Sequence, residues 1–306
     1  MTPHDIAFVR NTLRLSAHLY RPEATAAATP FPAVVIATPG SSVKEQIGAN
    51  YARGLVARGF AVLTLDPAYQ GQSEGVPRDL ESPAERVADL RSAVDFLSTC
   101  DDVDAGRIGL LGLCAGGGYA VSATMTDHRI KALGTVVPVN IGRAFRQMLD
   151  VPDTLQAVAA QANAEAHGQP AVRHAWIPDT LDEAHAAGID DIDVLQAVTY
   201  YRTARGQHPA STNRRHALSD ALILGFDAFH LADQLLTQPV QVIVAGASAG
   251  TTGSFEDGHQ LARLAPAAEP VLAIAQARHY EMYDVPAYVD QAVQQLATFF
   301  HTHLPG

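Results

Sequence analysis

Hydrophobic positions along this chain switch between a strand period and a helix period. Near the start, IAFVR and LRLSAHLY flank Asn11-Thr12, and the second stretch alternates apolar and polar residues like a half-buried strand. A loose stretch, EATAAATPFP, precedes the apolar run AVVIA. The spacing then predicts a helix over 44–58, with Gly59 suited to its C-terminal cap, and the strand FAVLTLD. Residues 82–99 have apolar positions at helical spacing, with Ser82 as N-cap and Pro83 as the first helical residue. The strand RIGLLGL, a helix through YAVSATM and the strand ALGTVVPV follow.

Continuous apolar strands alternating with helices predict an α/β fold, a mostly parallel doubly wound sheet covered on both faces. The alternation stops after Val139. Residues 141–215 contain helix-like stretches (FRQMLD, DTLQAVAAQANAEA, DIDVLQAVTYYRTA) and no convincing strand. It resumes near 226 with a helix over FDAFHLADQLL, the strand VQVIVAG, a helix over EDGHQLARLA, the strand VLAIAQA and a last helix over 287–302. The pattern therefore gives a core made of 1–140 and 216–306, with 141–215 inserted as a helical cap.

Composition narrows the partners. The chain has 306 residues, 47% of them apolar, so a large core is affordable, and its formal charge is −11. That charge argues against nucleic acid or an anionic membrane surface as partner. The N-terminus lacks the apolar core of a signal peptide, and no run approaches the ~20 apolar residues of a membrane span. A soluble, cytoplasmic protein is the expectation, with a homodimer left open. Two cysteines, Cys100 and Cys114, exclude a disulfide framework and a cysteine-rich zinc site.

Cys114 is the sharper of the two. Gly112-Leu113-Cys114-Ala115-Gly116 lies directly between a strand and a helix, the G-x-S-x-G nucleophile turn with cysteine in place of serine. So tight a turn strains its central residue, and glycines at the flanking positions let the backbones approach. It also aims the Ala115 N–H, at a helix N-terminus, toward the point where an oxyanion forms. A dinucleotide loop would need glycine at 114, and a phosphate loop would need Lys-Ser/Thr after Gly118, where Tyr119 stands. The bland alternative is a Gly-rich junction with Cys114 as buried filler.

Folds with such a turn place the base on a loop after the last strand, and Ala277-Arg278-His279 occupies that place. Of the 13 histidines, only His279 has a position that the turn itself predicts. The second oxyanion donor is expected in the loop Thr38–Gln46, at Gly40 with Ser41 in reserve. A thiol becomes a thiolate beside a histidine and a helix N-terminus, so Cys114 and His279 can act as a pair.

With these stretches in place, the chain resembles the α/β-hydrolase superfamily. Within it, the likeness is to the dienelactone-hydrolase-like and polyketide-transferase-like subgroup, here with a cysteine at the nucleophile elbow. TPGSSVKEQ, LDPAYQGQSEGVPRDLE, RVADLRSAVDFL, GRIGLLGLCAGGGYA, TDHRIKAL and ARHYEMYDVPAYVDQAV carry the likeness, over most of residues 31–140 and 236–300. It implies an α/β-hydrolase fold, a small-molecule acyl substrate, and neither cofactor nor metal. Catalysis would rest on Cys114 and His279, with Gly40 and Ala115 as the oxyanion hole.

Two departures accompany the resemblance. Thr38 stands where members often have histidine. The acid that should follow VQVIVAG is missing from Gly246-Ala247-Ser248-Ala249-Gly250, and Gly250 stands where relatives can have it. Glu256 is the nominated orienting acid. Asp257, Asn140 or no orienter at all remain open, and a helix-opening acid has its own structural explanation. Asp66 is read as holding the QGQSEG turn, Asp284 and Tyr283 as fixing the histidine loop, and Trp176 with Tyr200 and Tyr201 as packing the cap. The favoured function is hydrolysis of an ester, thioester or lactone through an acyl-enzyme. Alternatives are transfer of the acyl group to an alcohol or amine, and a non-catalytic ligand-binding protein on the same fold.

Overall fold

A computed structural model describes residues 2–23, 29–247 and 251–306. The first hairpin, β1 (His4–Arg10) and β2 (Leu13–Tyr20), turns at Asn11, whose φ is +55°. Then come β3 (Phe31–Ala37), α1 (Ile47–Val56), β4 (Ala61–Leu65), α2 (Pro83–Leu97), β5 (Val103–Leu113), α3 (Ala115–Thr126) and β6 (Ile130–Val136). The connection from β6 to the next sheet strand carries α4 (Ile141–Met148), α5 (Val151–Ala166), β7 (Arg173–Ala175), α6 (Leu181–Ala186), α7 (Ile192–Tyr201), β8 (Arg214–His216), α8 (Ser219–Leu224) and α9 (Ala232–Leu235). The chain ends with β9 (Val240–Ala245), α10 (Ser254–Leu264), β10 (Leu272–Ile274), a 3-10 turn (His279–Tyr283) and α11 (Pro286–His303).

Eight strands form one sheet in the order β1-β2-β4-β3-β5-β6-β9-β10. β2 pairs antiparallel with β1 and β4, and every neighbour from β4 to β10 is parallel. The apolar runs noted in the sequence explain this, because strands such as Ala61–Leu65 are buried along their whole length and so need cover on both faces. One face packs against α2, α3 and α10, the other against α1 and α11. This is the doubly wound α/β sheet expected from the alternation, and the α/β-hydrolase fold that the resemblance implies. β3 leads outward to β4, and the chain then returns across β3 to β5. The sheet therefore switches direction between β3 and β5, and the crevice at their carboxyl ends is where such sheets bind ligands.

Local expectations differ from the structure in three places. The 141–215 stretch holds two three-residue strands, β7 and β8, paired antiparallel; they are too short to show a period. β8 spans the boundary expected at 215/216. In FDAFHLADQLL only Ala232–Leu235 is helical, because Asp227 accepts the Phe229 N–H at 3.1 Å and Leu231 has a φ of +59°. A side chain that bonds its own backbone competes with the helix ladder. Among the described residues, no helix is long and apolar enough to cross a membrane.

Phe300 of α11 is fully buried and fills space left by glycines of the sheet. A Cβ at Gly109 would lie 2.8 Å from its ring, and one at Gly134 would lie 3.2 Å away. Phe300→Ala is expected to cost about 3–5 kcal/mol through lost transfer energy and the cavity left behind. Urea unfolding should show a lower midpoint with an unchanged slope.

Candidate active site

Cys114 is the hinge between β5 and α3. Its φ is +54° and ψ −125°, a strained conformation that costs about 1–3 kcal/mol for a side chain with a Cβ. Main-chain bonds fix it: its N–H donates to Val136 O at 3.1 Å, and its carbonyl accepts from Gly117 N at 2.8 Å and Val139 N at 2.9 Å. The flanking glycines are required sterically. A Cβ at Gly116 would sit 2.2 Å from Ala37 O, and one at Gly112 would sit 2.5 Å from the Gly117 Cα. The nearby Ala115 N–H and Tyr283 hydroxyl favour the charged form of Cys114. Burial nevertheless pushes the thiol up to about 11, against the pull of these two donors.

His279 opens the 3-10 turn and is fully buried. Its Nδ1 lies 2.8 Å from Ser254 Oγ, at the first residue of α10, and its Nε2 lies 3.4 Å from the Tyr283 hydroxyl. Burial lowers the imidazole to about 4, and the Asp193 carboxylate pulls the other way. Asp193 comes from the first turn of α7 and is itself buried. It accepts a hydrogen bond from the Thr252 hydroxyl, and its charge is also felt by Cys114.

The nominated orienters lie elsewhere. Glu256 is exposed on the first turn of α10, whereas the His279 Nδ1 partner on that turn is Ser254. Asp257 is buried and engaged with Arg143, at 2.7 and 2.8 Å, and with the Asn140 N–H at 2.8 Å. Burial raises its carboxyl, and Arg143 opposes that rise. Asn140 caps α4 and donates to Asp227 at 2.7 Å. Of the loop after β9, Ser248, Ala249 and Gly250 lie outside the described residues. Sequence reasoning did not find Ser254 or Asp193. Each stands at the start of a helix, where serine and aspartate are common for capping alone.

The loop after β3 closes the site from the other side. Arg86 Nη2 donates to Pro39 O at 2.8 Å, while its Nε donates to Glu81 at 2.8 Å, and Glu81 also accepts from the Tyr119 hydroxyl at 2.6 Å. Ser41 adopts a φ of +60°, and the Trp176 ring lies over Gly40, 3.1 Å from where a Cβ would be. The Thr38 hydroxyl is buried with no hydrogen-bond partner among the described residues. Asp66 behaves as read from the sequence: it accepts from Gln72 N and Lys44 Nζ, each at 2.9 Å, and so holds the QGQSEG turn.

Between these parts lies a cavity of about 340 Å³. Cys114, Ala115 and Gly40 line its floor, and Phe145, Trp176 and Asp193 of the β6–β9 connection line its walls. Cys114 reaches the cavity, whereas Cys100 caps the far end of α2 with its Sγ on Phe96 O at 3.6 Å. Among the described residues, no group of histidine, cysteine or carboxylate side chains is arranged to hold a metal.

Comparison with known proteins agrees with the fold that carries this site. Residues 11–222 match the family described as X-Pro dipeptidyl-peptidase (S15 family). The uncharacterized protein YcjY of Escherichia coli (strain K12) is 37% identical over 96% of this chain and 95% of its own. The thiohydrolase aneE of Aspergillus aculeatus is 30% identical over 58% of this chain and 54% of its own. Among solved structures, the hypothetical protein PA2218 from Pseudomonas aeruginosa superposes with a TM-score of 0.87 at 27% identity, over 99% of this chain and 94% of the other. The α/β hydrolase GrgF from Penicillium sp. sh18 has the same fold, with a TM-score of 0.82 at 18% identity and full coverage of both chains. The chain has the α/β-hydrolase fold and belongs to the family described as X-Pro dipeptidyl-peptidase (S15 family).

Proposed function

We propose that this protein hydrolyses a carboxylic ester, thioester or lactone through an acyl-enzyme on Cys114. The observation that carries the reading is the strained Cys114 backbone, which presents Sγ to the cavity with the Ala115 N–H beside it. Sγ attacks the substrate carbonyl and His279 receives the thiol proton. The oxyanion takes hydrogen bonds from Ala115 N–H and from the Gly40–Ser41 loop, each such donor contributing about 2.7–4 kcal/mol. His279 returns the proton to the leaving group and then activates water to release the acid. Residues of the β6–β9 connection act as a cap and hold the acyl group.

Leaving-group chemistry favours thioesters and esters of acidic alcohols over peptides within a family described as peptidases. In a tetrahedral adduct on cysteine, the Cys114 sulfur is itself easily expelled, so forward collapse needs a group that leaves at least as well. A thiolate meets that condition, and an amine does so only after protonation. The name of the Aspergillus relative, a thiohydrolase, is consistent with this choice. Acyl transfer is the second reading, favoured by the apolar cavity walls at Phe145, Met148, Leu149 and Trp176. Added alcohols or amines that divert the acyl product would establish it.

Quenched reaction with p-nitrophenyl acetate should place the acetyl group on Cys114 and not on Cys100, as read by peptide mass spectrometry. Cys114→Ala should lose at least about 1,000-fold of the turnover; full turnover by that variant rejects the proposal.

The pH dependence has a definite sign. A histidine titrating near 4 stays neutral, and competent as a base, well below its ordinary 6.5. The acid limb of kcat/KM should therefore lie near pH 4. Stability moves in the opposite sense to that tolerance. Between pH 6.5 and 4 the unfolded chain takes up the His279 proton and the folded chain does not, so stability falls as pH falls through this window. Esterase rates and unfolding midpoints measured from pH 4 to 8 test both; an acid limb at 6.5 contradicts the reading.

A further inference from the structure

Arg215 brings a buried cation to the wall of the cavity that holds Cys114. It sits in the middle of β8, opposite His174 of β7. Successive residues of a strand face opposite ways. Arg214 turns outward to Asp179 at 2.8 Å, and Arg215 turns inward, with 7% of its surface exposed. Its Cζ lies 4.9 Å from the centre of the Phe145 ring and 5.0 Å from that of Trp176. Those two rings meet edge to face at 6.1 Å, so the guanidinium sits against both.

One edge of the guanidinium is committed, because its Nε donates to Asp220 at 2.6 Å. Asp220 and His174 line a second cavity, of about 490 Å³, whose lining shares Leu149 and Arg215 with the first. Phe145 and Trp176 belong to the first cavity and Asp220 to the second, so Arg215 stands at the partition with its plane against the acyl side. Its Nη1 and Nη2 have no hydrogen-bond partner among the described residues. A guanidinium has five N–H donors and no acceptor, and a ligand that covers them without replacing water's oxygen loses binding energy.

Charge decides which oxygen suits them. Asp220 already neutralises Arg215, and the other charged side chain among the described residues lining the first cavity is Asp193. An anionic acyl group would bring a third negative charge to a single cation. An uncharged oxygen accepts from the Nη donors without that repulsion. We propose that Arg215 is a specificity-determining residue, selecting acyl groups that carry a keto or hydroxyl oxygen along the chain. This rests on the acyl-enzyme reading above and names the substrate class for that same site. Phe145, Met148 and Leu149 take the carbon chain, and the Nη donors take its oxygen.

The test compares p-nitrophenyl esters of γ-, δ- and ε-keto acids, each with the ketone-free ester of the same chain length. In the unaltered protein at least one keto ester should lead its counterpart by about tenfold in kcat/KM, the scale of a hydrogen bond to a charged donor. Arg215→Met fills the space without N–H donors and should bring that ratio to about one. Asp220→Asn leaves the cation uncompensated, so the ester with a terminal carboxylate should gain about tenfold on the ketone-free ester. An arginine that only supports the wall would produce neither change. Equal rates for keto and ketone-free esters, a preference for the carboxylate ester in the unaltered protein, or a keto preference that survives Arg215→Met overturns the proposal. If Arg215→Met does not fold, the Asp220→Asn shift decides. The two readings fail differently: equal rates beside an inactive Cys114→Ala reject only the role of Arg215, while an active Cys114→Ala rejects both.

Discussion

The left-handed backbone of Cys114 is tolerated because Gly112 and Gly116 let three segments of main chain come into contact. A side chain at 116 would strike the Ala37 carbonyl, and one at 112 would strike Gly117. The close approach brings the N-terminus of α3 against the end of β3, so the Ala115 N–H and the Gly40 loop face the same space. Strain at one residue is small beside the burial of a sheet whose central strands are covered on both faces. The core thus holds a local conformation that the turn alone would relax. Placing this turn at the sheet's change of direction also puts Cys114 in the crevice that the topology already provides.

Burial at this position has a chemical consequence. It raises the thiol and lowers the imidazole, so the resting pair is neutral on both sides. A stable thiolate–imidazolium pair would need a strong counter-charge on the imidazole, and its direct partners are two hydroxyls, Ser254 and Tyr283. The carboxylate that acts on His279 is Asp193, brought by α7 of the β6–β9 connection. In the proposed mechanism, charge separation is thereby deferred to the moment when a substrate carbonyl occupies the donors at Ala115 and Gly40. Preorganised donors stabilise charge most in a site that excludes water.

Much of this was legible in the sequence for identifiable reasons. The parallel sheet announced itself because strands buried on both faces are continuously apolar, and the elbow because its glycines are sterically irreplaceable. His279 followed from topology once the elbow was placed. The groups around His279 were not legible, since Ser254 and Asp193 open helices where the same residue types serve as caps. Glu256 had the right composition and approximate position, but on the first turn of α10 its side chain is exposed while Ser254 faces inward. Two residues of helical phase, about 200°, decide between them, and periodicity in an 11-residue helix does not fix that phase at its first turn. The strands β7 and β8 escaped for a simpler reason, as three residues carry no period.

The loop carrying Gly40 is held from both sides. From the core, Arg86 grips Pro39 O, and its own charge is balanced by buried Glu81. From the connection, the Ser211 hydroxyl donates to Ser41 O at 2.7 Å, Gln46 Nε2 reaches Gly206 O at 2.7 Å, and Trp176 covers Gly40. The same connection supplies the cavity walls and the Asp193 charge. On the proposed mechanism, its elements therefore select what fits and also set the geometry of the donors that would meet the carbonyl. A change in those walls that shifts Trp176 or Ser211 would move Gly40 and Ser41 relative to Cys114. On the proposed mechanism, changes of specificity are accordingly coupled to rate, because the cavity walls and the Gly40 loop share their supports.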